Sequence, residues 1–459
     1  MKGKSMDKGR QALTQVGLFD PGARVAVVGL GKTGLSAARF LLRQGIGCAV
    51  VDSRDKPPGL AQLREEMPGV AVFLGGLNST ALNVATHLLV SPGVALEEPA
   101  IRAALRGGAR LLSDIDLFAC MAQAPMVGIT GANGKSTVTT LLGEMARAAG
   151  RKAGVGGNLG TPALDLLSED AELYVLELSS FQLERTTQLQ CAAATVLNVS
   201  PDHLDRYPDI ASYAEAKRRI FRGEGVMVLN ADDPLVMDMA EPERRCVTFG
   251  LGDAPLPDFH LLQCEDGDWL ARKGVPLLPV TQLRLQGRHN LANALAALAL
   301  GEAVDLPFEA MLAALRAFRG LEHRMQWVAD TGGIAWIDDS KATNIGACQA
   351  ALEGLSGKAV LIAGGDGKGA DFSPLVPAVA RHARAAVLMG RDAPLLEQAL
   401  HGVTHTVRVA NMREAVCAAR QLAQPGDTVL LSPACASWDQ YEDYRHRGRM
   451  FAEEVGRLK

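Results

Sequence analysis

Short β-rich segments alternate with helical segments in three successive parts of the chain, and this rhythm constrains the fold most. The segments between the apolar runs, such as residues 35–43 and 290–302, have helical character. Alternation of this kind is typical of β–α–β units, in which helices cover a mostly parallel sheet. The predicted strands are residues 25–28, 48–51 and 87–90 in the first part, 126–129, 173–178, 195–198 and 226–230 in the second, and 334–337, 360–363, 386–389 and 428–432 in the third.

A chain of 459 residues is long enough for about three domains of ordinary size. The sequence therefore predicts an α/β fold with three Rossmann-like domains and mostly parallel sheets. We place the boundaries near residues 113 and 320, which gives domains of residues 1–113, 114–320 and 321–459.

A glycine-rich loop between a predicted strand and a predicted helix is the strongest functional signal. The loop consists of Gly131, Ala132, Asn133, Gly134, Lys135, Ser136 and Thr137. Its glycines let backbone N–H groups converge on phosphate oxygens, Lys135 adds a point charge, and the Ser136 hydroxyl can bind Mg²⁺. Strict P-loop spacing would place a glycine at position 129, where the chain has Ile129. The motif alone leaves a plain strand-to-helix turn open, but it favours a nucleoside triphosphate and a central P-loop-type ATP-binding domain.

Composition excludes several classes of protein. The formal net charge is −4 and 21% of residues are charged, so a nucleic-acid partner is not expected. Eight scattered cysteines include no C-x-x-C pair, which argues against a disulfide framework and a zinc site. The polar start and the lack of a long uncharged apolar run predict neither secretion nor membrane insertion, and we expect a cytoplasmic protein.

A second glycine loop lies near the start of the chain. Gly29, Gly31 and Gly34 fit the spacing G-x-G-x-x-G after a strand, and Asp52 ends the next strand, where a ribose-binding acid would lie. This arrangement is compatible with NAD, with another nucleotide or its diphosphate, and with a bare structural turn. Because the chain also carries a triphosphate loop, we favour a nucleotide other than NAD, or its diphosphate, at this first loop.

Three further residues are candidates for binding the metal and the reacting groups. Glu177 ends an apolar strand, where an unpaired acid would be unfavourable, and His203 follows the next strand. A surface or helix-capping acid is the alternative for Glu177, and a turn residue is the alternative for His203. On spacing alone, Lys217 is a solvated helix lysine.

Taken together, several motifs resemble the Mur ligases, which are ATP-dependent amide-forming enzymes of peptidoglycan precursor synthesis. The matching segments occur in family order over nearly the whole chain, and they are residues 131–137, 177–183, 198–203, 287–290 with 293–294, and 339–344. Two positions depart from the family pattern, since Ala132 replaces a common Thr and Tyr444 replaces a Phe.

Within the family, residues 364–368 and 431–441 resemble the branch that adds D-glutamate. The implied substrates are UDP-N-acetylmuramoyl-L-alanine, D-glutamate and ATP with Mg²⁺, and the implied reaction passes through an acyl phosphate. A Mur ligase for another amino acid and a folylpolyglutamate synthetase-like ligase are the alternatives within the class. An NAD-dependent oxidoreductase and a non-catalytic nucleotide sensor are the alternatives outside it. We expect a monomer.

The resemblance also implies roles for individual residues. Lys135 would neutralise phosphate charge, Ser136 and Glu177 would bind one Mg²⁺, and His203 would bind a second. Lys217 matches a lysine that is carbamylated in this family, and the carbamate would assist the second ion. The remaining implied ATP-binding residues are Asn290, Arg324, Asp339 and Lys341. The implied UDP-sugar-binding residues are Lys32, Thr33, Asp52, Ser53, Arg54, Asn158 and Gln182, and the implied amino-acid-binding residues are Thr343, Lys368, Ser437 and Tyr444. We expect the third domain to close over ATP.

Overall fold

The computed structural model describes residues 2–158, 160–202, 206–252, 256–285, 287–355 and 357–458. Three separate sheets, each covered by helices, follow one another along the chain. The α/β class with mostly parallel sheets, which the alternating pattern predicts, is confirmed. No helix in the described part of the chain combines the length and the apolar character that crossing a membrane requires.

The first sheet has five parallel strands. They are β1 (Val25–Val28), β2 (Cys48–Asp52), β3 (Ala71–Leu74), β4 (His87–Val90) and β5 (Arg110–Leu112), in the order β3-β2-β1-β4-β5. The helices are α1 (Lys2–Gln15), α2 (Lys32–Arg43), α3 (Leu60–Glu66), α4 (Thr80–Asn83) and α5 (Pro99–Arg106). The strand order reverses between β1 and β4, and a crevice at such a point is the usual ligand site of an open parallel sheet.

The second sheet has nine strands in the order β14-β13-β12-β11-β10-β9-β6-β8-β7. They are β6 (Met126–Thr130), β7 (Ala153–Gly157), β8 (Leu173–Glu177), β9 (Ala193–Val196), β10 (Val226–Asn230), β11 (Cys246–Phe249), β12 (Phe259–Cys264), β13 (Gly267–Arg272) and β14 (Val275–Pro279). The helices are α6 (Asp114–Met121), α7 (Lys135–Ala148), α8 (Ser180–Leu183), α9 (Ile210–Arg218), α10 (Pro234–Met237), α11 (Arg288–Ala303) and α12 (Phe308–Ala317).

Three features of the second sheet differ from the sequence prediction, and one is that β7 and β11 were not among the predicted strands. The strands β12 to β14 pair antiparallel to each other at the sheet edge, and the apolar pattern did not reveal them. The strand β9 lies two residues earlier than predicted, because the chain leaves the sheet at Leu197 and Asn198 to approach the glycine loop.

The third sheet has six strands in the order β15-β16-β20-β17-β18-β19, of which only β15 is antiparallel to its neighbour. The strands are β15 (Gln326–Thr331), β16 (Ile334–Asp338), β17 (Ala359–Gly364), β18 (Ala383–Met389), β19 (His405–Arg408) and β20 (Thr428–Leu431). The helices are α13 (Ile345–Glu353), α14 (Val376–His382), α15 (Ala393–Ala399), α16 (Met412–Leu422) and α17 (Tyr444–Gly456). The four strands predicted here are observed within a few residues of their expected positions.

A buried arginine connects the last helix to the loops of the third sheet. Arg447 of α17 is 2% exposed and donates hydrogen bonds to the hydroxyl and carbonyl of Ser340, and to the carbonyl of Cys435. The neighbouring Gly448 permits this approach, since a Cβ there would lie 2.2 Å from Nδ1 of His323. Burial lowers the pKa of Arg447 to about 10, which leaves the guanidinium charged at neutral pH.

We expect Arg447→Met to destabilise the third domain by about 2–4 kcal/mol, because the buried carbonyl groups of Ser340 and Cys435 lose a charged donor. Urea unfolding followed by circular dichroism measures the change. Arg449→Met is the matched control, since Arg449 lies on the same helix but is exposed, and it should change the free energy of unfolding by less than about 0.5 kcal/mol. Equal effects of the two substitutions would contradict this account of Arg447.

Candidate active site between the three sheets

The central glycine loop connects β6 to α7 in a conformation that requires glycine. Gly131 has φ +153° and Gly134 has φ +84°, and a Cβ at Gly134 would lie 2.4 Å from Oδ1 of Asn293. No side chain caps the start of α7. The first N–H groups of this helix therefore remain available to an anion, and the positive end of the helix dipole favours one.

Lys135 lies folded against this loop. Its Nζ donates to the carbonyl oxygens of Gly131, at 2.8 Å, and Ala132, at 2.9 Å. Burial lowers the pKa of Lys135, while the nearby carboxylates of Glu177 and Asp202 act in the opposite direction. Because the direct partners are neutral carbonyls, the charge of Lys135 is available to a phosphate.

Glu177 is placed at the end of β8 and is only 3% exposed. Its Oε1 accepts a hydrogen bond of 2.6 Å from the amide of Asn158, whereas its Oε2 is buried and has no partner within the described residues. Ser136 lines the same cleft. An orphaned carboxylate oxygen near a hydroxyl suits Mg²⁺, which takes hard oxygen ligands and usually keeps water and phosphate oxygens as well.

His203, the predicted ligand of a second metal ion, lies outside the described residues. Among the residues that are described, no three His, Cys, Asp or Glu side chains cluster closely enough to bind a metal ion by themselves. This result is compatible with an ion that is shared between one carboxylate, a hydroxyl and the ligand's phosphates.

Lys217 is buried rather than solvated, which corrects the interpretation from helix spacing alone. It is 1% exposed, donates to the carbonyl of Gly131 at 2.9 Å, and lies 4.2 Å from the centre of the Tyr213 ring. Burial lowers the pKa of Lys217 well below its ordinary value, and Lys135 adds to this effect. Burial thus shifts this amine towards its neutral form at the back of the glycine loop.

Residues of the third sheet reach the central loop. Nη2 of Arg324 donates to Oγ of Ser136 at 2.7 Å, and Nδ2 of Asn344 donates to Oδ1 of Asn133 at 3.2 Å. Nζ of Lys368 lies 3.6 Å from Oδ1 of Asp202. In this structure the third domain is therefore in contact with the central loop.

Three clefts contain most of the predicted site residues. Two of them are lined by residues of the central loop, and the third shares Asn158 with the second. The first is lined by Asn133, Gly134, Thr137, Asn290, Arg324, Asp339 and Lys341, all of which are predicted ATP ligands. Burial raises the pKa of Asp339 to about 7, although Ser432 donates to its Oδ2 at 2.9 Å. Burial also lowers the pKa of Lys341 to about 7, and Arg324 adds to this shift.

The second cleft brings the predicted amino-acid ligands next to the central loop. It is lined by Lys135, Ser136 and Glu177 on one side and by Thr343, Lys368, Ser437 and Tyr444 on the other. Nζ of Lys341 lies 4.2 Å from the centre of the Tyr444 ring. The Tyr444 hydroxyl accepts a hydrogen bond from the exposed Arg445, so the departure from Phe adds a contact at the rim.

The third cleft lies above β1 and β4 and has a volume of about 490 Å³. All of the predicted UDP-sugar ligands line it, and they are Lys32, Thr33, Asp52, Ser53, Arg54, Asn158 and Gln182. The carboxylate of Asp52 already accepts hydrogen bonds from the backbone of Leu30 and the guanidinium of Arg54. Burial raises the pKa of Asp52, but these hydrogen bonds outweigh burial and lower it overall.

Sequence reasoning missed several polar residues that shape these clefts. Asn198 holds the central loop, since its Oδ1 accepts from the backbone of Asn133 at 2.8 Å. Asn293 packs against Gly134. The carboxylate of Asp202 accepts a hydrogen bond from Asn344 and forms an ion pair with Lys368. Asn198, Asp202 and Asn293 all lie inside segments that carry the resemblance, which was the available signal.

Three consecutive parts of the chain each match a domain of a known protein family. Residues 23–113 match the MurD-like N-terminal domain of Mur ligases, residues 129–301 match the Mur ligase middle domain, and residues 323–435 match the Mur ligase glutamate ligase domain.

Curated relatives are similar over almost the full length. The UDP-N-acetylmuramoylalanine–D-glutamate ligase of Methylococcus capsulatus is 64% identical over 440 residues, which cover 96% of each chain. The protein of the same name from Nitrosococcus oceani is 55% identical, with 94% of this chain and 96% of the relative covered.

Solved structures share the fold at low sequence identity. The UDP-N-acetylmuramate-alanine ligase MurC of Thermotoga maritima superposes with a TM-score of 0.60 at 20% identity, covering 95% of this chain and all of the other. MurF of Acinetobacter baumannii gives a TM-score of 0.58 at 17% identity, with 98% of each chain covered. Identity of 64% over nearly the whole length, with three family domains in order, shows that the chain belongs to the Mur ligase family.

Proposed function

We propose that this protein is the ligase that joins D-glutamate to the L-alanine carboxylate of UDP-N-acetylmuramoyl-L-alanine, at the expense of ATP. The observation that carries the proposal is the connection of three clefts. Two of them are lined by the central glycine loop, and the UDP-sugar cleft shares Asn158 with the amino-acid cleft. Nearly full-length relatives that are named for this reaction support the choice of substrates.

An amide does not form at a useful rate from a free carboxylate and an amine, since the carboxylate lacks a good leaving group. An oxygen of the alanine carboxylate attacks the γ-phosphorus of ATP, the bond to the β–γ bridging oxygen breaks, and ADP leaves. The amine nitrogen of D-glutamate then attacks the acyl carbon, and phosphate leaves from the tetrahedral intermediate as the nitrogen loses a proton. Catalysis in both steps depends mainly on positioning and charge neutralisation.

Residues at different places around the loop bind the phosphates of ATP and the carboxylates of D-glutamate. The free N–H groups at the start of α7 and the charge of Lys135 hold the β- and γ-phosphates. Arg324 approaches from the third domain and reaches the same phosphates on closure. Lys368 and Ser437 lie where a lysine and a hydroxyl can bind the carboxylates of D-glutamate.

Glu177 and Ser136 are the residues that would bind Mg²⁺. A bound Mg²⁺ neutralises phosphate charge and polarises the γ-phosphoryl group. We assign His203 to a second ion on the strength of the family resemblance.

Closure of the third domain over the central loop would exclude water from the place where the acyl phosphate forms. Water would hydrolyse that intermediate and waste ATP, so closure protects it. We also propose that the enzyme acts as a monomer in the cytoplasm, where ATP and nucleotide sugars are made and where its eight free cysteines remain reduced.

Lys135→Ala should lower kcat/KM by about 100-fold or more, because the phosphates lose their principal charge partner in the loop. Phosphate release with ATP, UDP-N-acetylmuramoyl-L-alanine and D-glutamate measures the change. Arg43→Ala, at an exposed basic residue at the far end of α2, is the control and should leave turnover unchanged. Undiminished turnover in Lys135→Ala would remove the loop from the mechanism.

Binding of ATP should take up a proton at Lys341. With a pKa of about 7, this amine is protonated at pH 6 and largely neutral at pH 8, and burial and Arg324 are the causes. A bound polyphosphate restores the charge, so uptake should rise from pH 6 to pH 8. Calorimetry in buffers of different ionisation enthalpy measures the number of protons.

The matched variant for this measurement is Lys341→Arg, which stays charged throughout this pH range. It should bind ATP with less proton uptake at pH 8 than the wild type. Any uptake that remains in the variant comes from other groups, such as Asp339. The same uptake in both proteins would show that Lys341 does not titrate on binding.

We propose that CO₂ carbamylates Lys217, since only a neutral amine reacts with CO₂ and burial favours that form here. Removal of bicarbonate should lower activity, and its return should restore it. Lys217→Arg should have low activity that does not respond to bicarbonate. Full activity without bicarbonate, together with a free amine by mass spectrometry, would rule the carbamate out.

A further inference from the structure

Arg185 is a buried cation that the mechanism above does not use. It follows α8 in the central domain and is 2% exposed. Arginine is seldom buried unless its guanidinium is bonded. Here Nη1 donates to the carbonyl oxygens of Val90, at 3.4 Å, and Ser91, at 2.5 Å, and Nη2 donates to that of Val94, at 2.6 Å. All three carbonyl acceptors belong to the first domain, and Nη2 also donates to Oε1 of Glu184 in the central domain at 3.3 Å.

The accepting segment forms one wall of the UDP-sugar cleft. Oγ of Ser91 donates to the carbonyl of Gly29 at 2.9 Å. A Cβ at Gly29 would lie 3.0 Å from both the Cβ of Ser91 and Cγ2 of Val94. Residues 91–94 are therefore packed directly against the first glycine loop, and they line the cleft with it.

The backbone of Arg185 is hydrogen-bonded to a residue of the opposite wall. Its backbone N–H donates to the carbonyl of Gln182 at 3.2 Å. The Gln182 side chain completes a capping box with Ser179 at the start of α8 and lines the same cleft. Arg185 is thus only three positions along the chain from Gln182, which we expect to face the sugar end of the ligand.

We propose that Arg185 is a positioning residue that fixes the spacing between the two walls of the UDP-sugar cleft. One wall is the glycine loop, which takes the nucleoside diphosphate, and the other carries Asn158 and Gln182, which take the sugar with its alanine. This inference rests on the proposed substrate. A ligand that spans two walls gains the full benefit of both only when they are held at the matching distance.

A guanidinium is suited to this task because its planar group of donors reaches several carbonyls at once and keeps its charge when buried. Lysine offers a single nitrogen and could satisfy fewer of the three carbonyl groups. The spacing of the two walls is therefore expected to depend on the shape of the side chain and not only on its charge.

Titration calorimetry with two ligands tests the proposal, namely UDP alone and UDP-N-acetylmuramoyl-L-alanine. UDP should engage the glycine-loop wall only, whereas the full substrate engages both walls. In Arg185→Met, affinity for the full substrate should fall about tenfold, while affinity for UDP should change by less than about twofold. Arg185→Lys should give an intermediate loss. In steady-state assays the KM for the UDP-sugar should rise, and those for ATP and D-glutamate should not.

Arg222→Met is the matched control, because Nη1 of Arg222 donates to the carbonyl of Thr186 within the central domain and does not bridge to the first. It should leave the affinity for both ligands unchanged. If Arg185→Met does not fold, Arg185→Lys is measured against the same criteria.

Equal losses for UDP and for the full substrate would overturn the proposal, since they would indicate local damage to the glycine loop. Unchanged affinity for both would overturn it as well. A wild-type protein that binds neither ligand would instead contradict the proposed function.

Discussion

Burial of basic groups around the glycine loop is the constraint on which the rest of the active site depends. The amines of Lys135, Lys217 and Lys341 and the guanidinium of Arg324 are gathered around it, and burial is the largest cause of the lowered pKa of each. The start of α7 adds uncapped N–H groups to the same place. The phosphates of ATP and the carboxylates of the substrates would favour the charged forms of Lys135, Lys341 and Arg324 in this cleft.

The contacts between domains use the same groups that would bind the ligands. The hydroxyl of Ser136 accepts from Arg324, and Asp202 is close to Lys368. These contacts are few and polar, so they stabilise the closed arrangement less than a large apolar interface would. Opening to admit substrates and closing around them are therefore compatible with one set of side chains, and a bound polyphosphate offers Arg324 a stronger partner than a hydroxyl.

The fold was predictable from the sequence wherever a residue pattern has a local physical cause. Buried parallel strands are apolar runs, and the turn from β6 to α7 needs glycine at position 134, so both are visible without a structure. The hairpins β12 to β14 lie at a sheet edge, where partly exposed strands have a weaker apolar pattern, and they were missed. Lys217 looked like a solvated helix lysine because spacing along one helix does not reveal that the glycine loop covers it. Arg185 gave no signal, since its acceptors are backbone carbonyls about 90 residues away in sequence.

The junction between the clefts would bring the three proposed substrates to one point. Asn158 lines both the UDP-sugar cleft and the amino-acid cleft, and its amide bonds Glu177, which faces the central loop. In the proposed function, a substrate anchored by its diphosphate at the first glycine loop would present its far end, the alanine carboxylate, beside the γ-phosphate position. The groups of the third domain that would bind D-glutamate approach from the other side of that point. Phosphorylation of the carboxylate and attack by the amine thus require no movement of the acyl carbon, and the spacing of the walls decides whether that carbon lies within reach of both.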